Sequence, residues 1–213
     1  MDTRIEMEGW TCRIRPATDH PTRLVVLLHG WTGDENSMWL FTRKIPGQYA
    51  ILLPRAPFPT SAGGFSWRDI SPGTWGLPSL DDLRPSAEKL LAFLDIWISA
   101  TAFETKRLDV VGFSQGAAMA YCMALLFPGR VDKIVALAGF LPSGSETRLG
   151  ALDGKQVFIA HGREDDLVPI ERARQAQSLL KDAGIPVTYC ESDGGHKVNS
   201  SCLKRMESFF IIG

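Results

Sequence analysis

The amino-acid sequence predicts an α/β fold around a mainly parallel sheet. Two observations predict it: continuous apolar runs recur along the chain, and apolar residues at helical spacing fill the stretches between them. A third supports it: no internal repeat or low-complexity tract interrupts this strand-then-helix rhythm.

The first core run, Arg23–Leu28, is apolar after its leading charge and stops at His29-Gly30. A run that does not alternate with polar residues fits a strand buried on both faces. Residues 49–53, halted by Pro54, read the same way, as do 108–113, 133–138, 156–160 and 186–190. Residues 12–15 are expected to form an antiparallel edge strand. Leu80, Leu83, Ala87, Leu90, Leu91, Leu94 and Trp97 share one helical face, which puts Pro85 in the first turn and offers Asp81 or Asp82 as the cap. An apolar helix over 117–127 ends at Pro128-Gly129. Ile170, Ala173, Ala176, Leu180 and Ala183 trace another, closed by Gly184 and Pro186. Leu203, Met206, Phe209 and Phe210 mark a last amphipathic helix.

Residues 54–80 break the rhythm. They are rich in Pro, Gly and Ser, carry Phe58, Phe65, Trp67 and Trp75, and are too long for an ordinary connection. Two readings stay open. The segment is a wall or cover over a ligand, with Phe65, Trp67 and Trp75 as candidate substrate-binding residues, or it packs its aromatics down as a satellite core.

A chain of 213 residues fits one domain spanning 1–213. Its 45% hydrophobic and 22% charged content is that of an ordinary soluble protein. With 23 Lys and Arg against 24 Asp and Glu, nothing points to a nucleic-acid partner or a basic membrane-binding surface. No apolar run approaches the roughly 18 residues that span a bilayer, so no stable membrane insertion is expected. Residues 1–10 are acidic and mixed and do not read as a secretory signal. Cys12, Cys122, Cys190 and Cys202 are scattered, with neither a C-x-x-C pair nor metal-ligand spacing. The plain expectation is a reduced cytoplasmic protein with buried thiols and no metal; the even count leaves room for one or two disulfides.

The chemistry begins at Gly112-Phe113-Ser114-Gln115-Gly116, a G-x-S-x-G motif between a buried strand and a helix. A serine on so sharp a turn has a strained backbone, and neighbouring chain passes too close for a side chain at either glycine. The hydroxyl is thereby held above the sheet, and the helix N-terminus favours a developing negative oxygen. A serine is a weak nucleophile without a base, so a carboxylate and a histidine are expected downstream, in that order. Glu164, Asp165 and Asp166 lie in the loop after the 156–160 run, and only one of them can face the base. His196, behind Gly194-Gly195, follows the last run and is the expected base. His29 and His161 end strands and are expected to pack or donate structural hydrogen bonds; His20 is expected in solvent. For the oxyanion hole, one N–H belongs to Gln115, after the nucleophile. The other is expected from Trp31, in the loop after the first core strand, where Gly30 and Gly33 let the backbone turn.

Together these pieces resemble the phospholipase/carboxylesterase family of small α/β-hydrolases, which includes acyl-protein thioesterases. The matching stretches are 28–35, Pro54-Arg55-Ala56-Pro57, 63–67, 112–117, His161-Gly162 with Asp165 and Val168-Pro169, and Gly195-His196. They run from the first core strand to the last helix, and it is their combination and order that is specific. The resemblance implies an α/β-hydrolase fold, Asp165 as the acid with Asp166 as runner-up, Trp31 and Gln115 as oxyanion donors, and neither metal nor cofactor. It implies a small-molecule ester, thioester or lysophospholipid substrate, cleaved through an acyl-enzyme on Ser114, Asp165 and His196 by a monomer or homodimer. The 54–80 segment, where Trp67 and Trp75 flank Arg68 and Asp69, departs from the better-known thioesterases and favours a plainer carboxylesterase. A non-catalytic ligand receptor on the same scaffold is the rival reading; it has no need of serine, acid and histidine together.

Overall fold

The computed structural model describes residues 3–18, 23–70, 76–101 and 108–211. Its strands in chain order are β1 (Thr3–Met7), β2 (Trp10–Arg15), β3 (Arg23–Leu28), β4 (Tyr49–Pro54), β5 (Phe58–Pro59), β6 (Phe65–Ser66), β7 (Leu108–Phe113), β8 (Val131–Leu137), β9 (Gln156–Gly162) and β10 (Val187–Ser192). The helices are α1 (Leu80–Ala100), α2 (Gln115–Leu126), α3 (Ile170–Asp182) and α4 (Ser200–Ile211). Eight strands form one sheet in the order β1-β2-β4-β3-β7-β8-β9-β10, while β5 and β6 form a small hairpin apart from it. From β4 to β10 all pairings are parallel; β1–β2 and β2–β4 are antiparallel.

The continuous apolar runs do become strands, and all but the last are covered on both faces; β10, at the sheet edge, is only half-buried over most of its length. In β3, Leu24, Val26 and Leu28 join the core beneath α1, α2 and α3, while Val25 and Leu27 join the core beneath α4. Both sets are fully buried, which is why no polar alternation marked them. The last core is stapled: a disulfide joins Cys190 of β10 to Cys202 of α4 across 12 residues. Cys12 and Cys122 are free and buried, and burial pushes both thiols up to about 12. The expectation of four reduced thiols therefore holds for two of them only.

Two local expectations are corrected. Residues 12–15 belong to β2, which is not the edge; β1 pairs outside it. Helix α1 begins earlier than Pro85 implied, because Ser79 and Asp82 form a reciprocal cap: Asp82 N–H donates to Ser79 Oγ (3.1 Å), and Ser79 N–H donates to Asp82 Oδ2 (2.7 Å). Pro85 then lies in the second turn, where its missing N–H forgoes one helical hydrogen bond. His20 and Trp75 lie outside the described residues.

The topology decides where chemistry can occur. The chain runs from β3 outward to β4, then returns to place β7 on the other side of β3. Such a switch point opens a crevice at the strand C-termini. The loops after β3, β7, β9 and β10 all leave from that edge.

Candidate active site

Ser114 sits between β7 and α2 with φ 54° and ψ −118°. A non-glycine residue in this region stores roughly 1–3 kcal/mol of strain. The surroundings hold it there. A Cβ on Gly112 would overlap the Gly116 carbonyl, and one on Gly116 would overlap the Leu28 carbonyl of β3. Both glycines of the motif are thus required by close backbone approach. Ser114 N–H donates to Leu137 O (2.9 Å), tying the turn to β8.

The loop after β3 passes directly beside this turn: a Cβ on Gly30 would stand 3.3 Å from Ser114 Cβ. His29 anchors the loop from below. Ala56 N–H donates to His29 Nε2 (3.0 Å), so the ring proton is on Nδ1, which donates to Gly30 O (2.7 Å). Burial lowers the His29 pKa and keeps the ring neutral. Thr32 N–H donates to Phe65 O (3.0 Å) and Phe65 N–H to Gly33 O (2.9 Å), so β6 holds the loop from the side. Arg55 clamps Glu35 with two hydrogen bonds of 2.7 and 2.8 Å at the loop's far end. Trp31 lies between these ties and lines a cavity of about 220 Å³ together with Ser114 and Gln115. The Gln115 side chain is turned away: its Oε1 accepts from Trp67 N–H (3.0 Å) and its Nε2 donates to Ser66 Oγ (3.0 Å).

Of the three adjacent acids, Glu164 and Asp166 are exposed and Asp165 is buried. Asp165 Oδ1 accepts from Leu167 N–H (3.0 Å) and Val168 N–H (2.9 Å), which fixes the carboxylate. Its Oδ2 accepts from His196 Nδ1–H at 2.7 Å, leaving Nε2 of His196 as the nitrogen without a proton. The Phe113 ring, next to Ser114 in sequence, packs on the His196 ring with centroids 4.9 Å apart. The loops carrying Asp165 and His196 touch: a Cβ on Gly162 would overlap the carbonyls of both Gly194 and Gly195.

His161 makes the structural hydrogen bond expected of it, and the sequence did not reveal how close it stands to Asp165. Its Nε2–H donates to Val168 O (2.7 Å) and stands 3.2 Å from Asp165 Oδ2. A carbonyl only accepts, so Nε2 bears the proton; Nδ1 is buried without a hydrogen-bond partner, and burial lowers the pKa. The ring stays neutral and leaves the single negative charge of Asp165 to His196. The spacing of His161, near the end of β9, to Asp165, four residues on in the following loop, was the available signal.

The aromatic segment divides. Trp67 is fully buried, donates from Nε1 to His29 O (2.8 Å) and packs on the His29 ring. It supports the loop after β3 from behind and does not line the cavity, contrary to the expectation of a substrate wall. Phe65 is half-buried beneath the Arg55 guanidinium, and its backbone holds the loop after β3. The residues that do line the space beside Ser114 are Ile70, Leu77, Pro78 and Phe140 with Arg68.

Fold and site together define the class: an α/β-hydrolase, with a serine on a strained elbow at the sheet's switch point. The sequence profile of the Phospholipase/Carboxylesterase family matches residues 11–212, and the chain belongs to that family. It is a carboxylesterase-type hydrolase. A probable carboxylesterase SOBER1-like protein of Arabidopsis thaliana is 28% identical over 185 residues, covering 82% of this chain and 66% of that protein. Acyl-protein thioesterase 1 of Debaryomyces hansenii is 27% identical over 190 residues, covering 79% of this chain and 81% of that protein. The crystal structure of a carboxylesterase from Mesorhizobium loti superposes with a TM-score of 0.82 at 19% identity, over 100% of this chain and 99% of that one. Among the described residues no helix is long and apolar enough to cross a membrane.

Proposed function

We propose that this protein hydrolyses carboxylic esters through an acyl-enzyme on Ser114, with His196 as general base and Asp165 as its orienting carboxylate. The observation that carries the reading is the partly buried Asp165–His196 hydrogen bond of 2.7 Å, which leaves the imidazole Nε2 free to take a proton. His196 removes the Ser114 proton as the hydroxyl attacks the acyl carbonyl, then delivers it to the leaving alcohol or thiol. The backbone N–H groups of Trp31 and Gln115 receive the oxyanion; one such donor is worth about 3 kcal/mol in comparable sites. Water activated by His196 releases the acid. No step calls for a metal or cofactor.

An oxidising compartment would preserve the Cys190–Cys202 bond, and a reducing cytoplasm would open it. The reading is tested by Ser114→Ala. The variant is expected to keep its melting temperature, lose at least ~10³ of kcat on p-nitrophenyl esters, and lose labelling by a fluorophosphonate probe. A folded wild-type protein that the probe does not label would instead favour the non-catalytic receptor.

A further inference from the structure

The loop after β3 and the turn at Ser114 each supply one N–H to the proposed oxyanion hole. The rate then depends on how these two stretches of backbone stand relative to each other. They already touch: a Cβ on Gly30 would stand 3.3 Å from Ser114 Cβ. Van der Waals contact sets a distance but not the direction of an N–H, whereas a hydrogen bond holds both. The segment 64–67, which contains β6, makes hydrogen bonds to both sides.

Toward the β3 loop, the segment grips the chain before and after Trp31. Trp67 Nε1–H donates to His29 O (2.8 Å) on one side of it. On the other side, Thr32 N–H donates to Phe65 O (3.0 Å) and Phe65 N–H donates to Gly33 O (2.9 Å). Gly64, at φ 70°, closes in further, since a Cβ there would overlap the Thr32 carbonyl. Toward the Ser114 turn, the segment is held by the side chain of Gln115. Its Oε1 accepts from Trp67 N–H (3.0 Å). A backbone N–H only donates, so this bond settles which way the amide faces, and Nε2–H donates to Ser66 Oγ (3.0 Å). Ser66, Trp67 and Gln115 are all buried, so water does not replace a lost partner. The residue whose backbone N–H is one donor thus reaches, through its side chain, the segment that holds the other.

We propose that the side-chain amide of Gln115 is a positioning group for the oxyanion hole: through Ser66 and Trp67 it sets the Trp31 N–H against Gln115's own backbone N–H. It acts through the 64–67 segment and not on the substrate. A donor displaced by about 1 Å costs on the order of 10²-fold in rate. The loss falls on the transition state, where the oxygen carries charge, so kcat drops and KM changes little. This proposal rests on the ester-hydrolase reading and adds to it a residue that acts behind the reacting atoms.

Two variants test it. Gln115→Leu keeps the backbone N–H and removes both amide bonds. Trp67→Phe keeps an aromatic ring beside His29 and removes the indole N–H. Circular dichroism establishes that each folds. Each is assayed for kcat and KM on p-nitrophenyl butyrate. Each is also inhibited with hexyl trifluoromethyl ketone, whose Ser114 adduct is an oxyanion, and with the secondary alcohol of the same skeleton, which forms none. Gln115→Leu is expected to lower kcat by roughly 10–100-fold with KM within about threefold, and to weaken the ketone in step with kcat/KM while the alcohol binds as before. Trp67→Phe is expected to show the same split with a loss of about tenfold in kcat. It carries the test alone where Gln115→Leu does not fold. Unchanged kcat in either folded variant overturns the positioning role and leaves ester hydrolysis standing. Equal weakening of ketone and alcohol does the same, since that marks general damage to the pocket. Wild-type protein that neither hydrolyses the ester nor binds the ketone more tightly than the alcohol overturns both readings.

Discussion

Replacing Cys190 and Cys202 together by Ala probes the one covalent tie between β10 and α4. The bond closes a loop of 12 residues that carries His196. On the chain-entropy account, closing a loop of that length removes about 2.8 kcal/mol of unfolded-state freedom. For a domain of this size each kcal/mol corresponds to roughly 2–4 °C, so the melting temperature is expected to fall by about 6–11 °C. Thiol titration checks the premise independently. The sequence holds 4 cysteines. Denatured without reductant, the wild-type protein should expose two reactive thiols, Cys12 and Cys122, and four after reduction. In the native state neither should react quickly, since both are buried and burial pushes each up to about 12. The double variant should also lose kcat, because the tether that limits the His196 segment is gone. Four thiols in the unreduced denatured protein, or a melting temperature within a degree of wild type, would refute the reasoning.

Other perturbations test the site and its surroundings. Asp165→Asn is expected to cost about 10³–10⁴ in kcat with little change in stability. An amide can still accept from Leu167 and Val168 N–H, but its NH₂ then faces His196 Nδ1 and forces the wrong tautomer; activity within tenfold of wild type would contradict this. Gly162→Ala is expected to lose both stability and activity, by a few kcal/mol in urea denaturation, because its Cβ would drive the Gly194 and Gly195 carbonyls aside and move His196; an unchanged midpoint would count against that packing. Acid should destabilise the fold through His29 and His161. Burial lowers both pKa values, so below about pH 6.5 the unfolded chain takes up protons that the folded one refuses. Stability is therefore full above that pH and falls as the pH drops toward the lowered values, by up to about 1.4 kcal/mol per pH unit for each histidine. Urea midpoints at pH 7.5, 6.5 and 5.5 should show the decline, with a shallower slope in His29→Gln; a flat wild-type profile would contradict it.

How far the sequence could be read depended on how local each cause was. Five of the six apolar runs were legible because strands covered on both faces need uninterrupted hydrocarbon, and 23–28 and 108–113 have it. β1 was not, because its exposed side chains alternate with half-buried ones and carry charge, as an outer strand permits. Pro85 is a weak marker of the helix start because a proline is tolerated beyond the first turn at the loss of one hydrogen bond, while the stronger signal lies in Ser79 and Asp82, three residues apart. Trp67 misled because an aromatic residue beside a site can face the ligand or support the backbone behind it. Here its indole N–H reaches His29 O, a partner 38 residues away in sequence.

By itself the sequence determined the strand–elbow–helix around Ser114, since both flanking glycines and the buried run before them are local requirements of one sharp turn. It also supplied the order of serine, acid and base. Only the tertiary structure decided which of three adjacent carboxylates turns inward, that His161 stays neutral beside it, and that Cys190 finds Cys202. It also brought the Gln115 amide against Ser66 and Trp67. These depend on where separate loops meet above the sheet edge, and that meeting is set by strand order and register rather than by neighbouring residues in the chain.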